Sequence, residues 1–225
     1  MSISIESSSP GKQLPASTAR ANVFVSEYYN ALLRQIQVAS KGAGNDPLAI
    51  GVTSTMRREG TTTIAVNLAL AAAKASAGPI LLVDANTDSP AVGSALRLTP
   101  REGLINVLSD GRDPFACIVE TPVTNLSVLL PGQRSKSLEP AWDLGSINEM
   151  IDGFKHVFPL ILFDLPLANE LTCCFALASR LDGVLLVVEA ERVPRQKALR
   201  AKRGLDQAKV NILGAVYNKQ FRKGE

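Results

Sequence analysis

The stretch LAIGVTSTMRREGTTTIAVNLA (residues 48–69) decides the fold. It begins with an apolar run at Leu48–Thr53, continues as a polar loop, and ends in a segment with the composition of a helix. In a strand–loop–helix unit of this kind, the backbone N–H groups at the helix N-terminus can bind phosphate. The stretch therefore predicts such a unit with an anion site at its turn.

The rest of the chain repeats this alternation of short apolar runs and helical segments. Further strands are predicted at Ile80–Asp84, Leu126–Leu130, Leu160–Asp164, Gly183–Glu189 and Asn211–Tyr217, and helices at Ser26–Ser40, Thr62–Ala77, Ala141–Gly153, Leu171–Arg180 and Pro194–Lys209. Nearly continuous apolar strands are covered on both faces, and their alternation with helices is typical of a parallel sheet. We therefore expect a three-layer α/β domain of the P-loop NTPase type over residues 23–225, with a mainly parallel sheet flanked by helices. Residues 1–22, which are rich in Ser, Pro and Gly, are predicted to form a disordered arm.

Composition excludes several classes of function. Three cysteines and one histidine do not support a disulfide framework or a histidine metal cluster. A net charge of +3 does not indicate nucleic-acid binding, and none is expected. No apolar run reaches the roughly 18 residues of a membrane span, so we expect a cytoplasmic protein whose membrane contact is peripheral. Residues 192–225 hold ten basic and two acidic residues, which fits either a basic binding face or a solvated helix.

The polar loop matches the phosphate-binding pattern G-x-x-x-x-G-K-S/T only in part. Gly60 stands at the second glycine and Thr62 at the hydroxyl that binds magnesium, but Thr61 stands at the lysine and Thr55 at the first glycine. The candidate phosphate-binding residues are Arg58, Glu59, Gly60, Thr61, Thr62 and Thr63.

Two aspartates each close an apolar run, at Asp84 and Asp164. The carboxyl ends of parallel strands form the edge where ligands bind, so both side chains are candidates for magnesium ligation and catalysis together with Thr62. Each alone is also explained as a turn or helix cap. Asn218 closes the last predicted strand and is a candidate for contacting an adenine edge, or else a turn residue.

Taken together, these segments resemble the bacterial polysaccharide tyrosine autokinases, within the wider MinD/ParA group of P-loop ATPases. The resemblance spans about Ser26 to Asn218. Its matching segments are SEYYNALLR (26–34), Glu59-Gly60, Thr62-Thr63, NLA (67–69), LLVDANTDSP (81–90), GLINVL (103–108), FDLP (163–166) and DGVLLVV (182–188). The resemblance implies ATP or ADP with Mg²⁺ as ligands, and the cytoplasmic part of a membrane polysaccharide co-polymerase or export complex as partner.

The departures from the family pattern affect the phosphate clamp. Thr61 replaces the lysine, Arg58 a loop glycine, Asn86 the second aspartate and Asp88 an arginine. Loss of one charge-assisted hydrogen bond is expected to weaken nucleotide binding on the order of 10- to 100-fold. The sequence has three tyrosines, Tyr28, Tyr29 and Tyr217, and lacks the family's C-terminal tyrosine cluster.

These features support a leading hypothesis and two alternatives. The first is a degenerate autokinase-like protein of exopolysaccharide or capsule biosynthesis, with weak or no phosphotransfer, that acts as partner or regulator of the membrane complex. The second is an active tyrosine kinase or ATPase in which Arg57 or Arg58 replaces the lysine. The third is a positioning ATPase of the MinD/ParA kind, disfavoured because Met56 stands at the signature lysine. The helix Ser26–Ser40 is either a subunit interface or packs on its own domain.

Overall fold

The computed structural model of the chain describes residues 16–40, 46–76, 78–99, 101–132, 143–168 and 173–219, without the side chains of 16–26 and 173. Within these ranges the strands are β1 Leu48–Ser54, β2 Ile80–Asp84, β3 Ile118–Glu120, β4 Leu126–Leu129, β5 Leu160–Asp164, β6 Gly183–Glu189 and β7 Ile212–Asn218. The helices are α1 Ala16–Ala39, α2 Thr61–Ala75, α3 Val92–Leu96, α4 Leu104–Asp110, α5 Leu144–Lys155, α6 Cys173–Ala178 and α7 Arg195–Gln207, and a 3-10 turn covers Phe115–Cys117.

All seven strands form one sheet in the order β3-β4-β2-β5-β1-β6-β7. Every neighbouring pair is parallel except β3 with β4, so the predicted mainly parallel sheet is confirmed. β1 lies between β5 and β6, while the chain leaves β1 through α2 toward β2. The strand order therefore reverses around β1, which is where open parallel sheets form a crevice for ligands.

Helices cover both faces of the sheet because the strand side chains alternate between two apolar clusters. In β2, Leu81 and Val83 belong to the cluster that contains the buried residues of α5, α6 and α7. Ile80 and Leu82 belong to the other cluster, with the buried residues of α1 and α2. The result is the predicted three-layer arrangement, helix–sheet–helix.

α1 begins at Ala16, ten residues before the predicted start at Ser26. The run ASTARANVFV (residues 16–25) contains no Gly or Pro, which removes the main obstacle to extending the helix. Residues 1–15 lie outside the described residues. One face of α1 buries Tyr29, Leu32 and Ile36 against its own domain.

The remaining differences concern short elements and helix ends. The sequence analysis did not predict β3, α3, α4 or the 3-10 turn. The predicted beginnings of two helices, at Ala141 and Leu171, lie outside the described residues, and the helices α5 and α6 are described from Leu144 and Cys173. Across the described residues, no helix combines the length and the apolar character needed to cross a membrane.

Candidate nucleotide-binding site

The candidate site lies at the carboxyl edge of β1, β2 and β5. Asp84 ends β2 and Asp164 ends β5, and the parallel register pairs these two residues directly. Asp164 also pairs with Val52 of β1, two residues before that strand ends. The sheet therefore brings both predicted carboxylates beside the loop that connects β1 to α2.

Glu59 holds this loop together from within. Its side chain is fully buried, and its carboxylate accepts the backbone N–H of Thr55 at 2.8 Å and that of Met56 at 3.1 Å. The Thr55 hydroxyl also donates to Glu59 Oε1 at 3.0 Å. A buried carboxylate is stable only when its oxygens are hydrogen-bonded, and these contacts satisfy that need. Glu59, predicted as a ligand contact, is thus placed as a brace for the loop.

The loop ends at the N-terminus of α2 in a conformation suited to an anion. Gly60 caps the helix at φ 92°, in the left-handed region, and provides no side-chain cap. The first turn, Thr61–Thr63, contains no acidic residue. N–H groups at the start of a helix have no intrahelical acceptor, and the helix dipole adds partial positive charge there. The start of α2 therefore offers N–H groups without an intrahelical acceptor at the position where the sequence predicts a phosphate cradle.

Thr62 and Asp164 are in direct contact. The Thr62 hydroxyl donates to Asp164 Oδ2 at 2.6 Å, whereas Oδ1 is buried and has no hydrogen-bond partner among the described residues. Burial raises the pKa of Asp164 to about 7, against the lowering effect of the Thr62 hydrogen bond, and the nearby Asp84 raises it further. A buried oxygen without a partner, next to a hydroxyl and a second carboxyl, is a donor set that suits Mg²⁺.

Asp84 is held by the backbone that follows β2. Its carboxylate accepts N–H groups from Val92 at 3.0 Å, Ala91 at 3.2 Å and Asn86 at 3.3 Å. Burial raises the pKa of Asp84 to about 6, although these hydrogen bonds act in the opposite direction. Asp84 therefore serves partly as a cap for this turn and for α3, and its charge lies next to that of Asp164.

Two side chains at the end of β7 contact the backbone of the loop. Asn218 Nδ2 donates to the carbonyl of Glu59 at 2.7 Å, and Lys219 Nζ to that of Arg58 at 2.7 Å. The amide of Asn218, predicted to contact adenine, is therefore engaged with the loop backbone here. Lys219 was not predicted as a site residue, because a lysine near the basic end of the chain carries no distinguishing sequence signal.

The other predicted loop residues take different positions. The side chains of Arg58 and Thr63 are exposed, and that of Thr61 is half-buried at the first position of α2. Arg58 adopts φ 68°, in the left-handed region that favours glycine. The structure thus groups Glu59, Thr62 and Asp164 around the loop and leaves Arg58 on its rim.

No protein-family model matches the chain. The tyrosine-protein kinase CpsD of Streptococcus agalactiae is 31% identical over 194 residues, which cover 86% of this chain and 82% of CpsD. The chain belongs to the bacterial capsular tyrosine-protein kinase family. The succinoglycan biosynthesis transport protein ExoP of Rhizobium meliloti is 27% identical over 204 residues, which cover 89% of this chain and 25% of ExoP.

Solved structures agree with the fold of the family. The chimerical protein CapA2B2 superposes with a TM-score of 0.78 at 24% identity, covering 87% of this chain and 85% of that one. The septum site-determining protein MinD from Pyrococcus horikoshii, solved with Mg-ADP, superposes with a TM-score of 0.65 at 21% identity, covering 76% and 70%. Both likenesses establish the P-loop type of fold for this family member.

Proposed function

We propose that this chain is a degenerate member of its kinase family, with weak or no phosphotransfer, that works in exopolysaccharide or capsule biosynthesis. The observation that carries the proposal is Thr61 at the first position of α2, where the family pattern places the phosphate-binding lysine. A neutral hydroxyl there provides no charge to hold the β- and γ-phosphates. The chain thus keeps the phosphate cradle but lacks its fixed cation.

Two cations near the loop, Lys219 and Arg192, are engaged with other groups. Lys219 donates to the carbonyl of Arg58 and lies 3.3 Å from Glu189 Oε2. Arg192 is paired with the same carboxylate at 2.6 Å. Both cations thus share one carboxylate and donate to loop carbonyls, which supports a weakened phosphate clamp.

Nucleotide and metal binding are proposed through the residues that remain. The N–H groups at the start of α2 would hold phosphate, and Thr62, Asp84 and Asp164 would hold Mg²⁺. The metal, when bound, neutralises charge on the phosphates. The buried Asp164 Oδ1, which has no partner among the described residues, supports this assignment. Binding of ATP or ADP with Mg²⁺ is expected, at reduced affinity.

An active kinase or ATPase is the second candidate, favoured by the intact contact of Thr62 with Asp164 beside Asp84. In P-loop NTPases a loop hydroxyl and an aspartate at a strand end hold Mg²⁺. Phosphorylation of a tyrosine substrate that disappears in Asp84→Asn would establish this candidate. The same result would refute the hypothesis that the chain is a degenerate kinase.

The proposed setting is the cytoplasmic side of a membrane polysaccharide co-polymerase or export complex, with the chain as partner or regulator. Its support is the similarity to about one quarter of a succinoglycan biosynthesis transport protein. Self-association through α1 is part of the same proposal, because this helix leaves Val38 84% exposed. Light scattering of the natural protein and Val38→Asp tests it: only the natural protein should form oligomers.

The deciding experiment is calorimetric titration with Mg·ATP and Mg·ADP of the natural protein, Thr61→Lys and Gln207→Lys. Gln207 is the matched control, because it is exposed at the end of α7, which leads to the amino end of β7, and so adds the same charge at the sheet edge opposite the loop. Thr61→Lys should bind on the order of 10- to 100-fold more tightly than the natural protein, since it restores one charge-assisted bond. Gln207→Lys should resemble the natural protein. Equal affinities for all three proteins would refute the assignment of Thr61 to the lysine position.

A further inference from the structure

Three consecutive carbonyls of the loop are hydrogen-bonded from outside by three different side chains. The acceptors are the carbonyls of residues 57, 58 and 59. Their donors are Arg192 Nη2 at 3.3 Å, Lys219 Nζ at 2.7 Å and Asn218 Nδ2 at 2.7 Å, in that order. All three donors follow or end β6 and β7, so the loop is tied to a part of the sheet that the proposed phosphate and metal ligands do not use.

Glu189 joins the two cationic donors into one unit. Its carboxylate Oε2 lies 2.6 Å from Arg192 Nη1 and 3.3 Å from Lys219 Nζ. The register of β6 with β7 pairs Glu189 with Asn218, which places the anchor beside the third donor. The side chain of Glu189 is only 15% exposed, so its position is set by the fold and it can fix the long side chains of Arg192 and Lys219.

The orientation of these carbonyls determines where the loop N–H groups point. In a planar trans peptide, the C=O of one residue and the N–H of the next point in opposite directions. The carbonyls of residues 57–59 point toward their side-chain donors on Arg192, Lys219 and Asn218. The N–H groups of residues 58–60 therefore point away from these donors. Arg58 needs such external support, because φ 68° is unfavourable for a residue with a side chain.

We propose that Arg192 and Lys219, anchored by Glu189, are positioning residues that clamp the loop backbone in the conformation that receives phosphate. We call these three residues the loop clamp. Its cations act on phosphate only through the orientation of the loop N–H groups. The loop clamp itself is a property of the free protein. Only its effect on nucleotide affinity rests on the proposed function.

The first arm measures amide hydrogen exchange of the free protein, for the natural sequence, Lys219→Met, Arg192→Met and the double variant. Methionine keeps most of the apolar stem of either side chain and removes the charged donor. Exchange in peptides covering residues 55–60 should rise in both single variants and more in the double variant, while the buried part of α2 stays protected. Lys202→Met is the matched control, since Lys202 pairs with Asp206 on exposed α7. Unchanged loop exchange in the double variant, or an equal rise in Lys202→Met, overturns the clamp.

The second arm measures Mg·ADP affinity in the Thr61→Lys background, where binding is strong enough to resolve a loss. Loss of one partly exposed hydrogen bond to a charged donor should weaken binding about three- to tenfold. Lys219→Arg should restore it, because arginine can still donate to the carbonyl and pair with Glu189. If Lys219→Met raises hydrogen exchange in the loop but leaves the Mg·ADP affinity unchanged, the loop clamp only stabilises the loop. That result would refute its positioning role. Failure of Thr61→Lys itself to bind nucleotide would instead contradict the proposed function and leave the exchange result to decide on the clamp.

Discussion

The buried carboxyl of Asp164 should make the folding stability depend on pH. Burial raises its pKa from the ordinary 3.8 to about 7. Between these values the folded protein binds more protons than the unfolded chain, so the free energy of unfolding falls as pH rises from about 4 to about 7. At 1.36 kcal/mol for each pKa unit, the raised pKa lowers the free energy of unfolding by on the order of 4 kcal/mol at pH 8, where the folded group is charged, and by about 2 kcal/mol at pH 5, where it is protonated.

Asp164→Asn isolates this contribution. The asparagine amide oxygen can still accept the hydroxyl of Thr62, and the substitution removes the buried charge. Its amide nitrogen adds a buried donor whose cost, about 1–3 kcal/mol, does not change with pH. The stability of the variant relative to the natural protein should therefore be more favourable at pH 8 than at pH 5, by about 2–3 kcal/mol.

Urea unfolding followed by circular dichroism, at both pH values and without added magnesium, measures this difference. Asp152→Asn, on the exposed side of α5, is the matched surface control. A stability difference between Asp164→Asn and the natural protein that is the same at both pH values, within about 0.5 kcal/mol, would refute the reasoning. Adding Mg²⁺ at pH 8 should then stabilise the natural protein and not Asp164→Asn, if this carboxylate binds the metal.

Two further pairs of substitutions, each a test and its control, concern the loop and the core. Gly60→Ala should destabilise the protein by about 2 kcal/mol or more, because the left-handed backbone is strained and the new methyl group meets the Asn218 amide. Gly111→Ala, which has a similar φ and open space around it, should cost only about 1 kcal/mol. Phe154→Ala should cost about 3–5 kcal/mol, because the ring is fully buried between the sheet and α5. Val157→Ala, at a half-exposed position, should change the free energy of unfolding by no more than about 0.5 kcal/mol. Chemical unfolding curves check both pairs, and equal losses within either pair would contradict the geometry.

Four strands, β1, β2, β5 and β6, could be predicted from the sequence because their burial is nearly complete. β2 and β5 have the bounds predicted for them, since each is an apolar run closed by an aspartate. β3 could not be read, because its three residues are half-buried or exposed and pair only with β4 along one edge. Complete burial leaves a continuous apolar run in the sequence, whereas a short edge strand leaves no pattern at all.

The candidate site could likewise be predicted from the sequence only in part. The proximity of Asp84 to Asp164 was predictable, because neighbouring parallel strands end at one edge. Two contacts of the loop were not predictable: the Glu59 carboxylate accepts the N–H of Thr55, and the Asn218 amide donates to the carbonyl of Glu59. Both depend on how the loop folds around its own side chains. Lys219 was missed for a further reason: a lysine near a basic segment is indistinguishable in sequence from a solvated one.

Under the proposed function, in which Thr61 stands at the lysine position, the charges around Asp164 should give magnesium a larger role in nucleotide binding. The groups that act on Asp164 are Thr62, by a hydrogen bond, and Asp84, by its charge, and neither is a cation. The cations Lys219 and Arg192 are bonded to the loop carbonyls and to Glu189. When both aspartates are ionised, their pair is expected to be negative and to repel a free polyphosphate. A divalent ion at this pair reverses the local charge, so metal should contribute a larger share of nucleotide affinity here than in a site that keeps the lysine.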